Sequence, residues 1–258
     1  MTTAQVADVL RRAGCVFAEA EAELLVAAPG PLDVLVARRV AGEPLEQVLG
    51  WAEFDGLRVR VVPGVFVPRR RSQLLVRLAA QRLAAADVVV DLCCGSGALG
   101  LALRRRAPGI ELYAVDLDPV AVECARTNLP GAFVGEGDLW DALPAALRGR
   151  VAVTLANAPY VPSARIAWMP PEARDHEPLA ALDGGHDGLD VHRRIAAEAA
   201  SWLEPGGLLL IEVAPDQSAR ASELLTTAGL AVSVHTDEEL DATVVAGVMP
   251  TGQAKREP

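Results

Sequence analysis

Only four cysteines occur in the 258 residues (Cys15, Cys93, Cys94 and Cys124), with no Cys-x-x-Cys pair and no histidine at zinc-ligand spacing. The common structural zinc modules are therefore excluded, and no metal site is expected. No apolar run reaches the roughly 20 residues that span a bilayer. The opening stretch "MTTAQVADVLRRAGC" lacks the charged start and apolar core of a signal peptide. A cytoplasmic, reduced protein with no membrane partner is the expectation. Basic residues are in deficit: 24 Lys+Arg against 34 Asp+Glu leave a net charge of −10. A surface that negative repels a phosphate backbone, so nucleic acid is an unlikely partner. Only Arg69–Arg71 and Arg104–Arg106 form local basic patches. Internal repeats and low-complexity segments are absent as well.

The remainder is an ordinary globular composition, 51% hydrophobic with 22% charged residues, at a length that suits one large domain or a large and a small one. Through residues 1–48, apolar positions recur at helical spacing. Val6, Val9 and Leu10 form one set, Leu24, Leu25 and Val26 another, then Leu32, Leu35 and Val36 after Pro31 at a helix start. The pattern predicts a small N-terminal lobe of two or three helices. Alternation and Gly/Pro punctuation in "GWAEFDGLRVRVVPGVFVPR" predict a β-hairpin linker over 49–70. A helix over about 72–85, started by Ser72, then opens the main domain at 71–250.

Seven short apolar strands follow: "DVVVDL", "IELYAVDL", "GAFVGEG", "RVAVTLAN", "GLLLIEV", "LAVSVHT" and "ATVVAGVM". Near-continuous Val/Leu/Ile runs are strands buried on both faces. The expected fold is therefore α/β, a mostly parallel sheet with helices on each side. Only "DEELD" separates the last two strands, which predicts an antiparallel pair. Residues 251–258 read as a polar, frayed tail.

Several strand ends present unusual residues. In "VVVDLCCGSGALGLAL" a strand ends at Asp91, and Gly95 and Gly97 allow close backbone approach before a helix near Ala98. That helix N-terminus offers free N–H groups to a carboxylate or phosphate. Such a turn can also simply join a strand to a helix. Asp116 ends the second strand about 20 residues later, where an acid can bind both hydroxyls of a ribose. Asp118, just before Pro119, suits the capping of the next helix and leaves Asp116 free. Asp138 ends the third strand, where a carboxylate can face an adenine amino group. NAD and S-adenosylmethionine both suit this arrangement, and the incomplete G-x-G-x-x-G favours S-adenosylmethionine.

The fourth strand ends in "TLANAPYVPS". A planar NH₂ group is a poor nucleophile because its lone pair is delocalised. The Asn157 side-chain oxygen and a backbone carbonyl can each accept one of its N–H bonds, which orients the nitrogen and tolerates positive charge on it. Pro159 stiffens the turn, and the Tyr160 ring can pack on a flat substrate. A methyl sulfonium is an electrophile that needs no metal and no covalent intermediate. A plain Asx-type turn would use the same residues; the Gly-rich turn and Asp116, in this order, favour the chemical reading.

Taken together, these segments resemble the protein-(glutamine-N5) methyltransferases that modify peptide chain release factors. The resemblance runs from about Gly42 to about Gln217, through the hairpin linker, "DLCCGSGALGLAL", "NAPY" and "EPLAALDGGHDGLDVHRRIAAEAASWLEPGGLLLIEV". It implies a Rossmann-like class I methyltransferase fold and S-adenosylmethionine as cofactor. It further implies a monomer acting on a protein substrate, a release factor or a related acceptor. Asp91, Leu92, Cys93, Cys94, Gly95 and Gly97, with Asp116 and Leu117, would then bind the cofactor, and Asp138 and Leu139 would lie beside the adenine. Asn157, Ala158, Pro159 and Tyr160 would hold the glutamine amide, with Asn157 also touching the cofactor.

Three departures from the family pattern stand out. Asn-Pro-Pro-Tyr reads Asn157-Ala158-Pro159-Tyr160, which keeps the carbonyl. Cys93 replaces the first loop glycine, and both it and Cys94 read as small buried residues. Pro-Arg-Pro-Asp-Thr-Glu reads Pro68-Arg69-Arg70-Arg71-Ser72-Gln73, either a solvated loop capped by Ser72 or a change of partner. With a lobe shorter than usual for the family, these changes admit a paralogue. Trp168, His176 and His186 are candidates for the pocket rim, Gly184 and Gly185 read as serving backbone geometry, and no residue stands out as a general base. The rival readings are adenine-N6 methylation of nucleic acid, a non-catalytic cofactor-binding protein, and a small-molecule N-methyltransferase.

Overall fold

The computed structural model describes residues 1–251; from residue 252 on, the predicted tail lies outside the described residues. Four helices precede the hairpin: α1 (Thr3–Arg12), α2 (Ala18–Ala27), α3 (Leu32–Val40) and α4 (Leu45–Leu49). The last exceeds the two or three predicted. It is a five-residue turn between Pro44 and Gly50, too short for a periodic signal. Thr2 and Gln5 cap α1 reciprocally, and Val6, Leu10, Ala22 and Leu25 meet in a small apolar core. Beside that core, buried Arg39 donates to both Glu21 oxygens, at 2.7 and 3.1 Å.

Strands β1 (Trp51–Phe54) and β2 (Leu57–Arg60) pair antiparallel, with Phe54 opposite Leu57. Asp55 and Gly56 between them take φ of 54° and 72°. A two-residue hairpin turn of matching twist needs two such left-handed residues.

The main domain continues as α5 (Gln73–Ala80), β3 (Val88–Leu92), α6 (Ala98–Arg106), β4 (Glu111–Asp116), α7 (Pro119–Asn128), β5 (Phe133–Glu136) and β6 (Val151–Ala156). Then come α8 (Pro171–His176), α9 (Asp190–Trp202), β7 (Leu203–Glu212), α10 (Ser218–Thr227), β8 (Ala231–Asp237) and β9 (Ala242–Val248). Helix α5 stops short of the expected 85 because Asp87 folds back to accept the Ala84 N–H at 2.7 Å, closing a turn. Ser72 does not cap α5. It sits in a preceding 3₁₀ turn over Arg70–Ser72, with helical φ and ψ and no capping bond.

The seven strands form one sheet in the order β5-β4-β3-β6-β7-β9-β8. The first five are parallel, and β9 runs antiparallel to both β7 and β8, as the short "DEELD" connection predicts. Strand β7 shows why the runs are continuously apolar. Leu208 and Leu210 face the layer containing Leu75, Leu99 and Leu103, whereas Leu209 and Ile211 face Ile195 and Trp202. Trp202 stacks on Trp140 with centroids 5.6 Å apart. Because strand order reverses about β3, its carboxyl end and those of β4 and β6 open a crevice, the usual ligand position in such sheets.

Asp118 starts α7: its Oδ1 accepts the Val120 N–H at 2.8 Å, with Pro119 in the first helical position. Asp118→Ala should lower stability by about 1 kcal/mol in urea unfolding, with the slope unchanged. An unchanged midpoint would show that the cap contributes nothing.

Candidate active site

A cavity of about 310 Å³ opens where β3, β4 and β6 end, within the size range of small-molecule sites. Its floor is the turn after β3, in which Cys93, Gly95 and Gly97 all take positive φ (56°, 54° and 76°). The Cys94 N–H donates to the Val115 carbonyl at 3.0 Å and the Gly97 N–H to that of Cys94 at 2.7 Å. Asn128 donates to the carbonyls of Ser96 (2.8 Å) and Arg60 (2.9 Å), which fastens the turn to the hairpin.

Asp116 shapes one wall. Its Oδ2 accepts the Gly95 N–H at 2.8 Å and its Oδ1 the Asp118 N–H at 3.0 Å, leaving a lone pair on each oxygen for a ligand. Burial pushes its carboxyl pKa up, and those backbone donors pull it back. Asp91 lies below, wholly buried, with Oδ2 accepting the Gly100 N–H at 3.0 Å. Its Oδ1 has no partner among the described residues. Burial raises this carboxyl to about 7, and the nearby Asp116 charge adds to the shift.

Of the predicted cofactor residues, Cys93, Cys94, Gly95, Asp116, Leu117, and Asp138 with Leu139, reach the cavity wall. Asp91, Leu92 and Gly97 lie behind it, in the core and at the start of α6. The Cys93 thiol is half-buried. Burial and then the charge of Asp116 drive its pKa upward, so it stays protonated and is no nucleophile. Asp138 is not a free carboxylate. Arg194, also on the wall, donates to its Oδ2 at 2.7 Å.

The residues after β6 divide. Asn157 and Pro159 line the cavity, whereas Ala158 is buried among apolar side chains. Tyr160 turns away from the expected position over the substrate, and its hydroxyl donates to Glu212 Oε1 at 3.1 Å. Asn157 Nδ2 donates to Ser72 Oγ at 3.1 Å. The turn is clasped from outside. Gln217 Nε2 donates to the carbonyls of Tyr160 (2.8 Å) and Asp187 (3.0 Å), and Val161 and Gly184 join the two loops through backbone bonds. A Cβ on Gly188 would lie 2.2 Å from the Tyr160 carbonyl oxygen, and one on Gly184 2.7 Å from that of Pro159.

Sequence reasoning missed Ser72, Phe66 and Arg194 on the wall, together with Pro178 and Ala181 of "EPLAAL". Trp168, His176 and His186 do not line the cavity, and Trp168 is 86% exposed. Buried His192 bonds through Nε2 to the Glu212 carbonyl at 3.0 Å, and burial lowers its pKa to about 4, so it stays neutral. The arginine cluster is only partly free. Arg69 donates to both oxygens of buried Glu177 at 2.6 Å, and the Val67 N–H shares that carboxylate at 3.1 Å. Arg70 and Arg71 are exposed and form no ion pair among the described residues.

The family model described as "Methyltransferase small domain" matches residues 56–165. A release factor glutamine methyltransferase of Streptomyces coelicolor is 41% identical over 198 residues, covering 74% of this chain and 70% of that protein. A 4-amino-L-phenylalanine/4-methylamino-L-phenylalanine methyltransferase of Streptomyces pristinaespiralis is 36% identical over 238 residues, covering 82% and 81%. A solved methyltransferase of Pyrococcus furiosus shares the fold at TM-score 0.58 and 16% identity, over 83% of this chain and 97% of that one.

Two outcomes follow from the floor of the cavity. Cys93→Gly should stabilise the protein by up to about 1 kcal/mol, because a left-handed residue loses its Cβ clash; a lower melting temperature would contradict that strain. Asp91 ionises near 3.8 when unconstrained and near 7 in the fold. Between those values the folded state holds a proton the unfolded chain has lost, so this group's contribution to stability is full below the lower value and is lost as pH rises through the upper one. Urea unfolding at several pH values should therefore show a decline over this window that Asp91→Asn makes shallower, the remainder coming from the other buried carboxyls such as Asp116 and Glu212; an unchanged decline would acquit Asp91.

Proposed function

The chain belongs to the release factor glutamine methyltransferase family, and on that premise we propose that it methylates the side-chain amide nitrogen of a glutamine in a peptide chain release factor, with S-adenosylmethionine as cofactor. One observation carries this reading. Asn157 spends its N–H on Ser72 while lining the cavity, so its Oδ1 is the group left to meet an incoming N–H.

The residues present fit the cofactor. Asp116 retains lone pairs for two hydroxyls, and Gly95 leaves the turn open, with no atom within 4 Å of where a Cβ would sit. Leu117 and Leu139 offer apolar surface to a purine, with Asp138 and Arg194 at its edge. Bound there, S-adenosylmethionine supplies an electrophilic methyl carbon.

The chain's own work is orientation. Asn157 Oδ1 accepts one N–H of the acceptor amide, and the Ala158 carbonyl is the candidate for the other. Both acceptors hold the nitrogen in place and would stabilise the positive charge it gains as its bond to the methyl carbon forms and the carbon–sulfur bond of the sulfonium breaks, leaving a neutral thioether. The nitrogen's proton then leaves to water.

A second reading, an amino acid bearing an aromatic amine as acceptor, is favoured by the long match to the S. pristinaespiralis enzyme.

Mass spectrometry of a native release factor, after incubation with the protein and S-adenosylmethionine, tests the first reading. One added methyl on the glutamine of its Gly-Gly-Gln loop is expected. Asn157→Ala should reduce kcat by about 100-fold or more with cofactor affinity retained, whereas Asp116→Ala should weaken cofactor binding about tenfold or more. Methylation of 4-amino-L-phenylalanine with the release factor left unmodified would install the second reading instead.

A further inference from the structure

Ser72 and Glu212 are adjacent to the signature turn, and neither belongs to the four residues "NAPY". Parallel pairing sets Ala156 opposite Ile211, so Asn157 and Glu212 leave their strands side by side. Glu212 is 1% exposed. Its Oε1 takes the Tyr160 hydroxyl, its backbone carbonyl bonds to His192, and its Oε2 makes no hydrogen bond among the described residues. A buried carboxylate placed this way is costly unless something uses it. Burial pushes its pKa up, while the Ser72 and Tyr160 hydroxyls and the Arg71 charge hold it down.

An amide side chain can present either its oxygen or its NH₂, and the two are nearly isosteric. Asn157 needs an external reference to choose between them. A hydroxyl alone provides none, because Ser72 Oγ can donate or accept. An ionised carboxylate beside it removes the ambiguity, since it can only accept. With the Ser72 hydrogen drawn toward Glu212, Ser72 Oγ must accept, and only Asn157 Nδ2 is there to donate, at 3.1 Å.

We propose that Glu212 and Ser72 are positioning residues which fix the orientation of the Asn157 amide, so that Oδ1 and not Nδ2 faces the acceptor. Of the two links, Asn157 N–H to Ser72 Oγ is formed in the structure, and Ser72 O–H to the unpartnered Glu212 Oε2 is the link the proposal adds. Without it, Asn157 presents a donor to an acceptor group that also carries N–H, and the two repel. This assignment deepens the function proposed above, and its chemical consequence rests on that reading.

The chain has only two asparagines, Asn128 and Asn157, so their side-chain NH₂ signals are resolved by NMR and assigned with Asn157→Asp. In the cofactor-bound wild type, the Asn157 NH₂ should exchange with deuterated solvent about tenfold or more slowly than in Ser72→Ala. Ser72→Thr keeps the hydroxyl and should restore slow exchange. Glu212→Gln, which can donate to Ser72 Oγ and displace Asn157, should give the fast exchange of Ser72→Ala. In turnover, Ser72→Ala and Glu212→Gln should each lower kcat about tenfold or more with cofactor Kd unchanged, and the double variant should lose no more than the worse single one.

Asn157 exchange unaffected by Ser72→Ala, with cofactor still bound, overturns the proposal whatever the acceptor. Expected exchange with kcat unchanged in Ser72→Ala also overturns it. Should Glu212→Gln fail to fold, the Ser72 pair decides alone. Expected exchange in a wild type that methylates no glutamine leaves the positioning role standing and defeats the proposed function instead.

Discussion

Register between parallel strands is the constraint on which the site depends. Leu92 pairs with Val115 on one side and with Ala156 on the other, and Ala156 pairs with Ile211. The next residue along each strand is then Cys93, Asp116, Asn157 or Glu212. These four residues, of which the first and last are more than a hundred positions apart in the chain, emerge as one row across the sheet edge. A slip of one residue in any strand would turn that strand's side chains to the opposite face and remove its member from the row. The alternating apolar contacts of β7 with both helical layers resist such a slip, so the packing that stabilises the sheet is also what aligns the chemistry.

The row contributes two acids, Asp91 lies just behind it, and acidity inside a protein has to be managed. Asp91, Asp116 and Glu212 all have carboxyl pKa values raised by burial. Each is met by a different device: one backbone N–H for Asp91, two for Asp116, and the Tyr160 hydroxyl for Glu212. None of the three has an ion-pair partner among the described residues, whereas Asp138 on the cavity wall takes Arg194 and buried Glu177 takes Arg69. Compensation by dipoles at the first three and by full charges at the other two leaves the interior electronegative, a setting suited to a cationic group.

Local pattern made the fold legible and left part of the site hidden. Continuous apolar runs, the alternation of the hairpin and the Asp118-Pro119 helix start are signals spanning a few residues, and each appears where expected. Ser72 is the instructive failure. A serine just before a helix is a capping signal, yet its hydroxyl faces an asparagine 85 positions away. Tyr160 turns from the cavity for the same kind of reason, since a carboxylate 52 positions on captures its hydroxyl. The arginine cluster looked like free positive charge, but Glu177, distant in sequence, claims Arg69. His192, which showed no signal in the sequence, anchors the backbone of Glu212. In each case the deciding partner is brought close by topology, which residue spacing along the chain does not encode.

The glycines that press against the signature turn have a bearing on how such a protein can diversify. At Gly184 and Gly188 there is no room for a single methyl group beside the carbonyls of Pro159 and Tyr160. The turn and its clasp therefore form a unit that drift cannot alter one residue at a time. The opposite wall, from Phe66 through Ser72, belongs to a linker held by side-chain contacts, which can be exchanged piecemeal. Divergence toward new acceptors is thereby channelled to the linker, and it is there that this chain carries Arg70, Arg71 and Gln73.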